Sequence, residues 1–152
     1  MWCYFWFAFS FNDSFDAVML KVETYLDKSS IHGIGCFANR DIKQDEIVWL
    51  FDVRFDIKAP KSVIDYQQEG VLYDFLMMNG WWVNERDEIF LICCADNARF
   101  INHSKNPNVT GDYMLIATKD IEAGEEILQN YEEMGVIIEK KKDGSLKFKS
   151  RY

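Results

Sequence analysis

The sequence is poor in the residues that mark several common kinds of site. It has 152 residues, of which two are histidine, two are proline and four are cysteine. The cysteines are Cys3, Cys36, Cys93 and Cys94. No two of them form a C-x-x-C pair, and only His32 and His103 add nitrogen ligands, so neither a disulfide framework nor a structural zinc site is expected. Free, buried thiols are predicted, which favours a reducing compartment and a cytoplasmic or nuclear location.

The sequence also lacks the motifs of three common enzyme chemistries. It contains no G-x-x-x-x-G-K phosphate loop, no G-x-S-x-G elbow and no H-E-x-x-H helix. The uncharged run at residues 1–11 is about half the ~20 residues that cross a bilayer, and no Lys or Arg precedes it. Neither a membrane span nor a signal peptide is expected in this run.

Basic residues are outnumbered throughout most of the chain. There are 17 Lys and Arg against 25 Asp and Glu, which gives a formal charge of −8. The final residues, 140–152, oppose this balance with six basic side chains and one acidic side chain. An acidic body lacks the phosphate-neutralising surface of a nucleic-acid-binding protein, so direct nucleic-acid binding is not expected. A cationic, Lys-rich partner suits this charge.

Length and composition predict one domain with a substantial core, since 49% of the residues are hydrophobic and 16% are aromatic. We place that domain at residues 19–133, with a basic tail at residues 134–152. Residues 1–18 are rich in aromatic side chains. A buried strand or a partner-binding patch would explain them, but we predict a non-native extension or a loosely attached segment.

Strand signals dominate the first part of the domain. Apolar or alternating runs at residues 18–26, 35–41 and 47–53 predict a β-meander. After Pro60, apolar residues recur at 3.6-residue spacing with an interruption at Gly70, as in two short helices.

The second half of the domain adds further strands. Residues 81–84 and 89–93 flank a charged tetrapeptide, as the two strands of a hairpin do. Residues 113–118 and 126–131 are two more candidates. The predicted fold class is mainly β with a short helical insert.

Three segments contain residues suited to a functional site. Gly33-Ile34-Gly35 would let backbone groups approach a ligand, although a tight turn requires such glycines too. RFINHSKNPN at residues 99–108 is rich in hydrogen-bond donors, which either bind a polar ligand or cap turns. ATKDIEAGEEILQNY at residues 117–131 ends in Tyr131, a residue that is also typical of a packed core.

Taken in order, the three segments resemble the SET-domain protein-lysine N-methyltransferases. The resemblance rests on G-x-G after the first strand, R-F-I-N-H-S followed by x-x-P-N, and G-E-E-I-x-x-x-Y, and it covers residues 20–133. It implies a SET-domain β-clip with pseudoknot-like C-terminal threading. It also implies methyl transfer from S-adenosylmethionine to the ε-amine of a lysine in a protein or peptide substrate, histones being typical of the family.

The resemblance also implies roles for individual residues. The residues implied in cofactor binding are Gly33, Ile34, Gly35, Arg99, Phe100, Asn102 and His103. Within this set, Asn102 and His103 are expected to hold the amino-acid and adenine ends, and Arg99 and Phe100 to shape their loop. Tyr131 matches the catalytic tyrosine beside an aromatic lysine channel, and no metal is required. Candidates for the channel walls, each equally compatible with core packing, are Trp49, Trp81, Trp82 and Tyr113.

The sequence departs from the family pattern in two places. Asn130 precedes Tyr131 where an acidic residue is common, a change that leaves the hydroxyl in place. No cysteine follows Cys94, so the zinc-binding cluster of many histone methyltransferases is missing. The tail then either folds back over the cofactor, through a turn at residues 142–145 with Phe148 and Tyr152, or stays solvated.

Two other classes of function compete with the enzyme. A catalytically silent SET-like module would bind a peptide or cofactor without turnover. An oligomerisation or recruitment protein would use the aromatic N-terminal segment. Small single-domain members of the family can dimerise to complete the cleft, so a homodimer is one option for the oligomeric state.

Overall fold

The computed structural model describes residues 19–66, 69–134, 136–140 and 146–150. Within them, the strands are β1 (Met19–Leu20), β2 (Thr24–Lys28), β3 (Ile34–Ala38), β4 (Ile47–Leu50), β5 (Ile57–Pro60), β6 (Gly80–Glu85), β7 (Glu88–Cys93), β8 (Asn102–His103), β9 (Val109–Thr110), β10 (Met114–Ala117), β11 (Leu128–Gln129), β12 (Val136–Lys140) and β13 (Leu146–Ser150). The helices are α1 (Lys61–Tyr66), α2 (Val71–Asn79) and a 3-10 helix (Asn97–Phe100). The predictions for residues 1–18, Cys3, the 142–145 turn and Tyr152 lie outside the described residues.

The largest sheet has six strands in the order β1-β4-β10-β9-β11-β8. Neighbours from β1 to β9 run antiparallel, whereas β11 runs parallel to both β9 and β8. Since β8 and β9 are joined by residues 104–108, the later strand β11 is inserted between two strands that are adjacent in sequence. This arrangement agrees with the threading expected for the C-terminal segment.

The predicted β-meander is wrong. β2 pairs with β3 in a sheet of its own, whereas β1 pairs with β4 in the six-stranded sheet. The predicted strand 18–26 is therefore two strands, because the chain passes from one sheet to the other at residues 21–23. Val22, which is buried in the main core, marks this crossing.

The helical insert and the second hairpin are confirmed. α1 and α2 pack on a three-stranded sheet of order β5-β7-β6, with Ile64 and Leu76 buried against Leu91. The tight turn between β6 and β7 consists of Arg86 and Asp87, which both have positive φ. That geometry is typical of a type I′ hairpin turn.

The main core lies between the six-stranded sheet and the β2-β3 hairpin. Trp49 on β4 and Ile127 before β11 are fully buried there. The predicted strands 113–118 and 126–131 are found but are shorter, as β10 and β11. In the tail, β12 and β13 form an antiparallel pair.

Candidate functional site

Asn102 brings the first two predicted segments together. Its side-chain Nδ2 donates hydrogen bonds of 3.1 Å to the backbone carbonyls of both His32 and Ile34. These carbonyls flank Gly33, which has a φ of 51°, in the left-handed region where glycine is favoured. The G-x-G turn and the start of β8 are therefore joined directly, although they lie some seventy residues apart in sequence.

His103 brings in the third segment. Its Nδ1 accepts a 3.1 Å hydrogen bond from the backbone N–H of Tyr131, and the two rings lie 5.5 Å apart between centroids. An accepting Nδ1 places the ring proton on Nε2. Burial lowers the pKa of His103 below its usual value, so the imidazole is neutral at neutral pH.

Tyr131 follows β11 and points back to the main core. Its hydroxyl donates a 2.5 Å hydrogen bond to the backbone carbonyl of Ile101, the residue before β8. Burial raises the pKa of Tyr131 to about 12, with a smaller contribution from Cys94. The phenol is therefore protonated at physiological pH.

Arg99 makes contacts within its own loop, and Phe100 lies beside it. Arg99 Nη1 donates to the carbonyl of Ala95 at 3.1 Å, and its guanidinium lies 4.8 Å from the centroid of the Phe100 ring. Both residues lie on the 3-10 helix, whose first turn is capped by the Asp96 carboxylate accepting from Ala98 N–H. Phe100 also packs against the main core. Arg99 and Phe100 thus support the loop before Asn102. The contacts of Arg99 with Ala95 and Phe100 do not join this loop to the G-x-G turn.

Two polar residues in the motifs were not singled out from the sequence. Glu126 accepts from Asn102 Nδ2 at 2.8 Å and from the Ser29 hydroxyl at 3.0 Å. Asn108, which is 1% exposed, donates to the Glu126 carbonyl at 2.8 Å and accepts from Leu128 N–H at 2.7 Å. The sequence did contain a signal for them, because Asn108 is the Asn of the P-N motif and Glu126 is the second Glu of the G-E-E motif.

The candidate channel aromatics divide into two groups. Trp49, Trp81 and Tyr113 belong to one edge-to-face arrangement, in which Phe51 contacts both Trp49 and Tyr113. Within the described part of the chain, the indole N–H groups of Trp49 and Trp81 are buried and have no hydrogen-bond partner. Trp82 belongs instead to the core of the helical insert.

The three cysteines within the described residues are buried and free. In the same ranges, no cluster of three or more His, Cys, Asp or Glu side chains could hold a metal ion. No helix among the described residues is long and apolar enough to span a membrane.

The chain belongs to the SET-domain family, because the family model for the SET domain matches residues 33–132. It is 31% identical over 135 residues to the variant-silencing SET domain-containing protein of Plasmodium falciparum. The matched region covers 80% of this chain and 5% of that protein. It is 26% identical over 115 residues to a histone-lysine N-methyltransferase, H3 lysine-36 specific, of Gibberella zeae, with coverages of 68% and 12%. The chain thus spans a small part of the length of these relatives.

Solved structures confirm the predicted fold. The chain resembles a chain of the Polycomb Repressive Complex 2 from Chaetomium thermophilum, in an autoinhibited conformation bound to S-adenosylmethionine. The TM-score is 0.57 at 22% identity, over 78% of this chain and 16% of that chain. At this identity the likeness establishes a SET-domain fold, mainly β with two short helices.

Proposed function

We propose that this chain is a protein-lysine N-methyltransferase that uses S-adenosylmethionine. The observation that carries the proposal is the junction of the three motifs: Asn102 is bonded to the carbonyls beside Gly33, and His103 is bonded to the backbone of Tyr131. The two segments suited to binding a cofactor and the segment that carries the tyrosine hydroxyl are far apart in sequence. They therefore meet at one place in the fold.

The residues at this junction fit the cofactor. A Cβ added at Gly33 would meet no atom within 4 Å, so the backbone of this exposed turn is open to a ligand. The Asn102 amide points its donors at protein carbonyls, which leaves its oxygen to accept from a cationic amino-acid group. In the proposal, Gly33, Ile34 and Gly35 offer backbone groups, and Asn102 and His103 hold the two ends of the cofactor.

S-adenosylmethionine, when bound, supplies an electrophilic methyl group on a positively charged sulfur. Tyr131 would orient the reacting groups through its hydroxyl, because methyl transfer depends chiefly on alignment. Its raised pKa keeps the hydroxyl protonated, so the lysine proton must leave by another route. The usual pKa of a lysine amine is about 10.4, so the amine is charged at neutral pH. A desolvated site disfavours the charged form and so favours the neutral amine that accepts the methyl group.

A Lys-containing protein or peptide is the substrate class that suits the acidic chain. The formal charge of −8 attracts cationic segments over a distance set by the Debye length, about 8 Å at physiological ionic strength. The relative from Gibberella zeae, named as specific for lysine 36 of histone H3, supports a histone-like peptide as the first candidate. A cytoplasmic or nuclear location, the lack of nucleic-acid binding and the option of a homodimer remain predictions.

The test is incubation of the chain with labelled S-adenosylmethionine and Lys-rich peptides, read by mass spectrometry. Matched peptides with every Lys replaced by Arg keep the charge and remove the acceptor. We expect label on the Lys peptides alone. Binding of cofactor without transfer to any Lys peptide or protein would instead support a silent binding module.

A further inference from the structure

Glu126 is a charged side chain at the junction of the two cofactor segments. We infer that Glu126 is a positioning residue for the cofactor: its carboxylate fixes both the Asn102 amide and the loop that leads into the G-x-G turn. This inference rests on the proposed function and gives Glu126 a role that the family resemblance did not supply.

The Asn102 amide is surrounded by acceptors. Nδ2 donates to Glu126 Oε1 at 2.8 Å and to the carbonyls of His32 and Ile34 at 3.1 Å. An amide nitrogen has two hydrogens, so one of them is shared between two acceptors. Since all three neighbours are acceptors, only the nitrogen can face them, and Oδ1 must point away. Glu126, the one charged acceptor of the three, makes the shortest of these bonds and dominates this orientation.

The same carboxylate orders the loop through Ser29. The Ser29 hydroxyl donates its single proton to Glu126 Oε2 at 3.0 Å. Its lone pairs are then available to accept from Ile31 N–H at 2.9 Å and His32 N–H at 3.2 Å. Ser29 N–H in turn donates to the carbonyl of Gly33 at 3.0 Å. Each contact holds the backbone that ends in the proposed cofactor-binding glycines.

Gly35 provides the space that this carboxylate occupies. A Cβ on Gly35 would lie 2.3 Å from Glu126 Oε1 and 2.8 Å from its carboxyl carbon. The backbone around Glu126 is fixed as well, because Ile127 N–H donates to the Cys36 carbonyl at 2.8 Å. The carboxylate therefore lies in a defined place against β3, and its geometry is transmitted to the turn before that strand.

An ionised carboxylate suits these contacts better than an amide does. Glu126 has to accept from Asn102 with one oxygen and from Ser29 with the other. A glutamine of the same shape has one oxygen and one donating nitrogen. It can satisfy Asn102 or Ser29 as an acceptor, but not both, so Glu126→Gln should disturb the network without changing its volume.

The test compares Glu126→Gln with Glu125→Gln, a matched loss of one charge at the adjacent residue. Among the described residues, the Glu125 side chain bonds to Lys119, Asn108 and the Glu122 N–H, and Asn102 is not one of these partners. Binding of S-adenosylmethionine is measured by calorimetry, and unfolding in urea is measured on the same samples. We expect Glu126→Gln to raise Kd at least about tenfold, and Glu125→Gln to leave it within about twofold. The kcat at saturating cofactor should stay within about twofold for Glu125→Gln.

The outcomes separate this inference from the proposed function. If the wild type binds the cofactor and Glu126→Gln binds it equally well, the positioning role is wrong while the proposed function stands. If the wild type does not bind, the proposed function fails and the role of Glu126 fails with it. Should Glu126→Gln not fold, Ser29→Ala takes its place, with several-fold weaker binding expected and unchanged affinity overturning the inference.

Discussion

Asn108 should be a large single contributor to the stability of the threaded segment. The change Asn108→Leu keeps the approximate volume and removes all three side-chain hydrogen bonds, of which the bond to Glu125 is the longest at 3.4 Å. It leaves the Glu126 carbonyl and the Leu128 N–H without the partners that they have at 2.8 and 2.7 Å. Since Asn108 is 1% exposed, a leucine at this position would also keep water away from both groups.

The size of the effect follows from the number of groups left unpaired. An unsatisfied buried donor or acceptor costs about 1–3 kcal/mol, which gives roughly 2–6 kcal/mol for two. Both bonds are only partly buried, so we expect the lower half of that range, about 3 kcal/mol. This is a large share of the ~5–15 kcal/mol typical of a whole domain.

The assay is urea unfolding followed by tryptophan fluorescence, for which the fully buried Trp49 is a reporter. With a slope of about 2 kcal/mol/M, the midpoint should fall by about 1.5 M. Asn106→Leu, on an exposed residue of the same loop, is the control and should shift the midpoint little. A loss of less than about 1 kcal/mol for Asn108→Leu, or an effect equal to the control, would refute this reasoning.

Two further predictions concern titration. Burial raises the pKa of Cys36 and of Cys93 to about 11, so a thiol reagent at about pH 8 should modify these two residues only after unfolding. Rapid modification of Cys36 or Cys93 in the native protein, located by peptide mapping, would contradict their burial. Because the pKa of Tyr131 is raised to about 12, its hydroxyl stays protonated well above neutrality, and methyl transfer should rise with pH as the target amine loses its proton. A decline centred between about pH 7 and 9, with the protein still folded, would show that another group titrates in the site.

Much of the fold was predictable from motif order and from local pattern. The two helices after Pro60 follow from 3.6-residue spacing, and the β6-β7 hairpin follows from apolar runs around a charged turn. The pairing of β1 with β4 was not predictable in this way, because neither strand alone indicates its partner. Residues 18–26 contain enough apolar side chains for one strand, and only the packing of Val22 in the core shows where the chain changes sheets.

The site was predictable as a set of segments, but less so as a set of contacts. Asn102 and His103 could be selected because their motif accompanies a G-x-G turn, and the structure joins both to their expected neighbours. Glu126 and Asn108 stand in the same motifs, yet their roles depend on which groups they face across the fold. For Glu126, that environment is created by the missing Cβ of Gly35, a relation that spacing along the chain does not reveal.

The central claim, that this chain is a methyltransferase whose Tyr131 orients the reaction, is tested most directly by Tyr131→Phe. The change keeps the ring and removes the hydroxyl that contacts Ile101. Single-turnover methyl transfer is measured at saturating S-adenosylmethionine and normalised to the folded fraction. We predict intact cofactor binding with a rate lower by about a hundredfold, which corresponds to ~2.7 kcal/mol of lost transition-state stabilisation. Equal rates per folded molecule would contradict the claim and return Tyr131 to a packing role.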